Sequence, residues 1–118
     1  MRLSFDDRGD VTVVRVLEEK LTYPILLPFF SQVRERVDGG ARRLLVDFSP
    51  VRYIDSACVS CLMELHQLLQ ARGGSLRFSG MQPRLERLIA MAGVDRIVPL
   101  HRDEAEALAA FSAPAGTR

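Results

Sequence analysis

The chain has 118 residues, 47% of them apolar and 26% charged, and its 16 basic against 15 acidic side chains leave a formal net charge of +1 at pH 7. That is apolar material for one packed core and not for two. The near-balance of charge excludes the basic footprint that grips nucleic acid, and the polar stretch Met1 to Asp10 with no apolar run of membrane-spanning length predicts a cytoplasmic protein with no direct membrane insertion.

Two apolar or β-branched runs, Arg2 to Phe5 and Val11 to Leu17, flank Asp6, Asp7, Arg8, Gly9 and Asp10, whose turn chemistry predicts an opening hairpin. Ile25, Leu26, Phe29, Phe30, Val33 and Val37 then recur at helical spacing, and Gly39-Gly40 closes the segment as a left-handed cap does. Proline fits only the first turn, so this helix begins near Pro24 or near Pro28. Arg42 to Phe48 is a short apolar run of the kind covered on both faces, the central strand of a sheet. A loop through Tyr53 and Ile54 leads to Asp55 and Ser56, both good N-cap types, ahead of a helix from about Ala57 to Arg72 that Gly73-Gly74 stops.

Ser75 to Ser79 reads as a strand, and Pro83 to Gly93 as a helix with a first-turn proline. A short apolar piece around Ile97 and Val98 reads as a last strand, and Asp103 opens a final helix through Leu108 and Phe111. The expected organisation is one α/β domain over residues 1–111, with a mixed four- to five-stranded sheet that starts with a hairpin and about four helices, and a disordered tail over residues 112–118. Strands joined through helices should be parallel, and binding sites in such sheets gather outside their carboxyl ends, where the loop from Ser49 to Ser56 emerges.

No enzyme motif stands out. His66 and His101 lack a nucleophile or carboxylate at diagnostic spacing, and the paired glycines follow helices where caps explain them. Cys58 and Cys61 form a C-x-x-C near a helix start, superficially a thioredoxin-like site, but the intervening Val59 and Ser60 are not the usual Gly-Pro and the i, i+3 spacing suits two small residues on one packed face. Two cysteines make a poor metal site, so no metal is expected, and with no Gly-rich phosphate loop in the sequence no cofactor is expected either. On pattern alone, Asp55 and Ser56 are an ordinary N-cap.

The segment VDFSPVRYIDSACVSCL, Val46 to Leu62, resembles the STAS domain of anti-sigma factor antagonists, in which a strand ending in Asp leads through an apolar loop to Asp-Ser-Ser/Thr-Gly-Leu at a helix start. The likeness continues in Gly73 to Phe78, in the Pro83 to Gly93 helix and in VDRIVPLHRDEAEALAAF, with Ala57 in place of the second hydroxyl residue and Cys58 in place of glycine. The resemblance implies a STAS-like fold and makes Ser56 the phosphoacceptor, with Asp47, Asp55, Ser56, Ala57 and Ser60 around the partner-binding surface. It further implies a regulator without catalytic activity, which binds an anti-sigma factor that is also a serine kinase and is reset by a phosphatase. A rival resemblance, carried by Ile25 to Phe30, is to the STAS subunit of a bacterial lipid-transport ABC complex, which binds its ATPase as a structural regulator.

Overall fold

A computed structural model describes residues 2–112. Strands β1 (Leu3–Arg8) and β2 (Val11–Val16) pair antiparallel from Leu3 opposite Val16 to Arg8 opposite Val11, and Gly9 and Asp10 are left as a two-residue turn with Gly9 at φ +66°. The hairpin is therefore longer than its apolar runs. Asp6, Asp7 and Arg8 belong to β1, where Asp7 accepts a hydrogen bond from the Thr12 hydroxyl at 3.1 Å and Asp6 lies 3.5 Å from Arg15. Charged cross-strand pairs of this kind are suited to an edge strand, which has to stay solvated.

The main sheet has the order β1-β2-β4-β6-β7, with β4 (Arg43–Asp47), β6 (Ser75–Ser79) and β7 (Leu100–His101) parallel to β2. Period-two alternation divides the strand side chains between two layers. Val14, Val16, Leu44, Val46, Leu76 and Phe78 face the large core under helices α1 (Leu26–Asp38), α2 (Ser56–Ala71) and α3 (Pro83–Met91). Val11, Val13 and Leu45 face α4 (Glu104–Ser112) through Ala107 and Phe111. The central strand β4 is thus covered on both sides, as its unbroken apolar run requires.

Helix α1 starts between the two prolines, with Pro28 inside its first turn, where a missing N–H leaves nothing unpaired. The apolar run at its start is divided: Leu26 and Phe29 are buried while Leu27 is 59% exposed. Helix α2 begins one residue earlier than its periodicity suggests, at Ser56, and buries Cys58, Cys61, Leu62, Leu65 and Leu69 on one face. In α4, the Asp103 side chain accepts from the Glu106 N–H at 2.9 Å, the cap its position predicts.

Two features depart from the periodic pattern. Lys20–Leu21 (β3) and Tyr53–Ile54 (β5) form a separate parallel ladder, anchored by the Glu19 carbonyl, which accepts from the N–H groups of Arg52 and Tyr53. Ile97 and Val98 are not in a strand: a 3-10 turn over Val94–Arg96 precedes them, and the last strand falls at Leu100–His101. Val98 is instead a buried anchor under the turn, with Ile97 45% exposed. Of the expected tail, Ser112 closes α4 and residues 113–118 lie outside the described residues.

Candidate functional site

The segment from β4 to α2 is held in place by carboxylates at its two ends. At the carboxyl end of β4, Asp47 Oδ1 accepts from the Ser49 N–H at 3.0 Å and from the Ser49 hydroxyl at 2.6 Å, which folds the chain back at once. This turn packs on Gly80 at the exit of β6, where φ is +75° and an added Cβ would stand 2.4 Å from Ser49 Oγ and 2.6 Å from Asp47 Oδ1. Phe48, buried beneath the turn, sits edge-on to Phe78 at 5.2 Å between ring centroids.

At the other end Asp55 has the extended backbone of an N-cap, φ −121° and ψ 179°, and its two oxygens go to different elements. Oδ1 accepts from the Cys58 N–H at 2.9 Å and closes the first turn of α2; Oδ2 accepts from the Tyr23 N–H at 3.0 Å and ties down the entry to α1. Ser56 follows as the first helical residue, and its side chain is exposed, as is that of Ser60 one turn on, while Ala57 between them is half-buried. The N–H groups of Ser56 and Ala57 meet no acceptor among the described residues, as the first turn of a helix dictates. A negative group placed on the Ser56 hydroxyl would sit in the favourable field of that helix end.

Asp55, Ser56, Ala57 and Ser60 therefore share one surface. Asp47 lies at the same end of the sheet, but its hydrogen bonds go to Ser49 and none reaches Asp55 or Ser56. Two apolar hollows flank the helix tip. One, of about 240 Å³, is lined by Ile54, Asp55, Ser56, Val59 and Leu88. The other, of about 460 Å³, runs between α1 and α2 and includes Tyr23, Leu27, Phe30, Ala57 and Cys61. The second was legible only in part, since Phe30 carries the helical period of a buried face while Leu27, outside that period, is hidden in an unbroken apolar run.

Cys58 is sealed in the core, and Cys61, almost as buried, borders the larger hollow. Burial pushes the Cys58 thiol far above its ordinary range, reinforced by Cys61 and by the Asp55 carboxylate, and raises Cys61 to about 11. A redox nucleophile needs the opposite shift. Among the described residues no three His, Cys, Asp or Glu side chains converge as metal ligands, and no helix is long and apolar enough to cross a membrane.

Comparison with known proteins places this architecture. The chain is 24% identical over 83 residues to an anti-sigma F factor antagonist of Paenibacillus polymyxa, a match covering 66% of this chain and 71% of that protein. Its fold superposes with TM-score 0.86 on a candidate anti-sigma factor antagonist from Thermotoga maritima, at 19% identity, covering 94% of this chain and 95% of the other. It superposes with TM-score 0.73 on the Bacillus cell fate determinant SpoIIAA in its phosphorylated form, at 15% identity, covering 93% and 99% of the two chains. A family model described as Mlab, STAS domain, matches residues 3–99, which contain the strand, loop and helix start that carry Asp55 and Ser56, and the chain accordingly belongs to the STAS domain family.

Proposed function

We propose that this protein is a cytoplasmic anti-sigma factor antagonist that acts by docking, not catalysis, and that phosphorylation of Ser56 by its partner switches the docking off. The observation that carries the reading is the Ser56 hydroxyl itself, exposed at the first position of α2, on a backbone fixed by the Asp55 cap and bordered by apolar hollows. A hydroxyl so placed is open to a kinase, and the fold tolerates the product because a phosphate is favoured at a helix N-terminus. It adds about −1.5 to −2 charges beside Asp55, at the centre of the contact surface formed by Asp55, Ser56, Ala57 and Ser60, with Asp47 at its border. The unmodified form would hold an anti-sigma factor that is also a serine kinase and so free the sigma factor; a phosphatase would restore the unmodified form.

The exposed Leu27 and Tyr23 beside the larger hollow favour a second reading, in which the same end of the molecule sits permanently on the ATPase of a lipid-transport complex as a structural subunit. The two differ in what charge at Ser56 does. Capture of one purified partner by wild-type, Ser56→Ala and Ser56→Asp protein separates them. The switch requires retention by the first two and loss by the third, and equal retention by all three contradicts it.

A further inference from the structure

We infer that the docking edge beside Ser56 is built for an acidic partner segment that inserts one apolar side chain, a deepening that rests on reading this edge as the docking surface. Three cations stand beside residues adjacent in the chain to the lining of the smaller hollow: Lys20 and Arg84 at Tyr53, which precedes Ile54, and Arg87, which precedes Leu88. Lys20 Nζ lies 5.9 Å and the Arg84 guanidinium carbon 5.3 Å from the centroid of the Tyr53 ring, which is 42% exposed. Both lie within the roughly 6 Å over which a ring face attracts a cation. Arg87 stands one turn along α3 from Arg84, and helical spacing puts Arg84, Arg87, Leu88 and Met91 on neighbouring rows of one face. Leu88 is 40% exposed and Met91 84%, while Leu85 and Ile89 on the opposite side are buried in the core.

None of these three cations is in an ion pair among the described residues, whereas Arg8, Arg15, Arg43 and Arg72 elsewhere on the surface each meet a carboxylate. The acidic groups nearby are otherwise engaged or turned away. Glu19 is paired with Arg52 at 3.6 Å, and Asp55 accepts from two backbone N–H groups. Glu86 is two residues from Arg84 and so faces another side of α3. Lys20, Arg84 and Arg87 thus stand without ion-pair partners among the described residues, beside an apolar depression that holds one carboxylate, Asp55, so that positive charge is in excess at this edge.

The depression, about 240 Å³, is on the scale of one or two side chains and below that of most small-molecule sites, which begin near roughly 300 Å³. Its occupant is thus a protruding Leu, Phe or Met, flanked by Asp or Glu that meet Lys20, Arg84 and Arg87. This chemistry also accounts for the effect of modification. A phosphoryl group on Ser56, which lines the same depression, offsets the cations that the acidic segment requires.

Random peptides displayed on phage and selected on the unmodified protein test this directly. The expected outcome is enrichment of Asp and Glu beside Leu, Phe or Met, with amide NMR shifts from the strongest peptide confined to residues 19–21, 53–60 and 84–91. Affinity should fall about tenfold or more, near 1.4 kcal/mol, in the Arg84→Glu, Arg87→Glu double variant. It should also fall with added salt, and it should be unchanged in Arg36→Glu, which alters an exposed arginine at the opposite end of the sheet. Basic or neutral peptides, no selection, or shifts on another face overturn the inference. So does preferential binding to phosphatidylglycerol–phosphatidylcholine vesicles or to single-stranded DNA that the double variant abolishes, since either makes the cations a membrane or nucleic-acid contact. All of these outcomes are scored without phosphorylation, so they leave the Ser56 switch to be judged on its own test.

Discussion

Asp55 divides one carboxylate between two elements, and its variants separate the two contacts. Asp55→Ala loses both the cap on Cys58 N–H and the acceptor for Tyr23 N–H, and should cost about 1–2 kcal/mol, read as a lower urea midpoint. Asp55→Asn keeps a capping oxygen but turns an N–H toward Tyr23, so it should cost less and raise hydrogen exchange at the Tyr23 amide selectively. At Gly80, alanine would face both a positive φ and two oxygens within 2.6 Å of its Cβ, so Gly80→Ala should destabilise by more than about 1 kcal/mol in the same assay. The cysteines make a pH prediction. Unfolded thiols ionise near pH 8.5, but Cys58 and Cys61 stay protonated in the fold, so above that pH the unfolded chain binds fewer protons and stability falls as pH rises. The share of the fall due to Cys61 should end as it ionises in the native state at about 11, that due to Cys58, shifted further up, should continue beyond, and replacing both thiols by Ala should remove this component of the pH dependence.

At the level of elements, what could be read in advance was whatever a local period encodes. The α2 stripe, the Pro83 helix start and the unbroken apolar run of β4 each state their burial in the order of their side chains, and the parallel pairing of strands joined through helices follows from their connections. The β3–β5 ladder has no such signature. It is two residues on each side, and it rests on a long-range contact, the Glu19 carbonyl accepting from the N–H groups of Arg52 and Tyr53. Ile97 and Val98 misled because a β-branched pair is the composition of a strand, whereas here Gly93, at φ +80°, starts a 3-10 turn that buries Val98 alone. The site divides the same way. Ser56 and Asp55 were marked by cap chemistry and by resemblance, while the apolar hollows and the cations of α3 arise from segments far apart in sequence. If β3–β5 serves to hold the Asp55 approach, Leu21→Ala, which empties a fully buried position, should cost about 2–5 kcal/mol in global unfolding and broaden the Tyr53 to Ser56 amide resonances first.

For the whole molecule, the two ends of the sheet differ in character. The end away from Ser56 has a polar cleft in which Asp7, Asp10 and Glu35 stand among Arg36, Arg42 and Arg43, with Arg43 paired to Asp10 at 3.0 Å, whereas the Ser56 end has exposed apolar side chains beside Lys20, Arg84 and Arg87, which are in no ion pair among the described residues. One modification at the second end can therefore change association without disturbing the core, because α2 keeps its Asp55 cap and its buried face. Calorimetric titration of the proposed partner, a serine kinase anti-sigma factor, with unmodified protein and with protein phosphorylated stoichiometrically at Ser56 tests this most directly. The account predicts at least about tenfold weaker binding of the phosphorylated form with an unchanged melting temperature. Equal affinity of the two forms, or weakening that comes only with loss of folded structure, would contradict it.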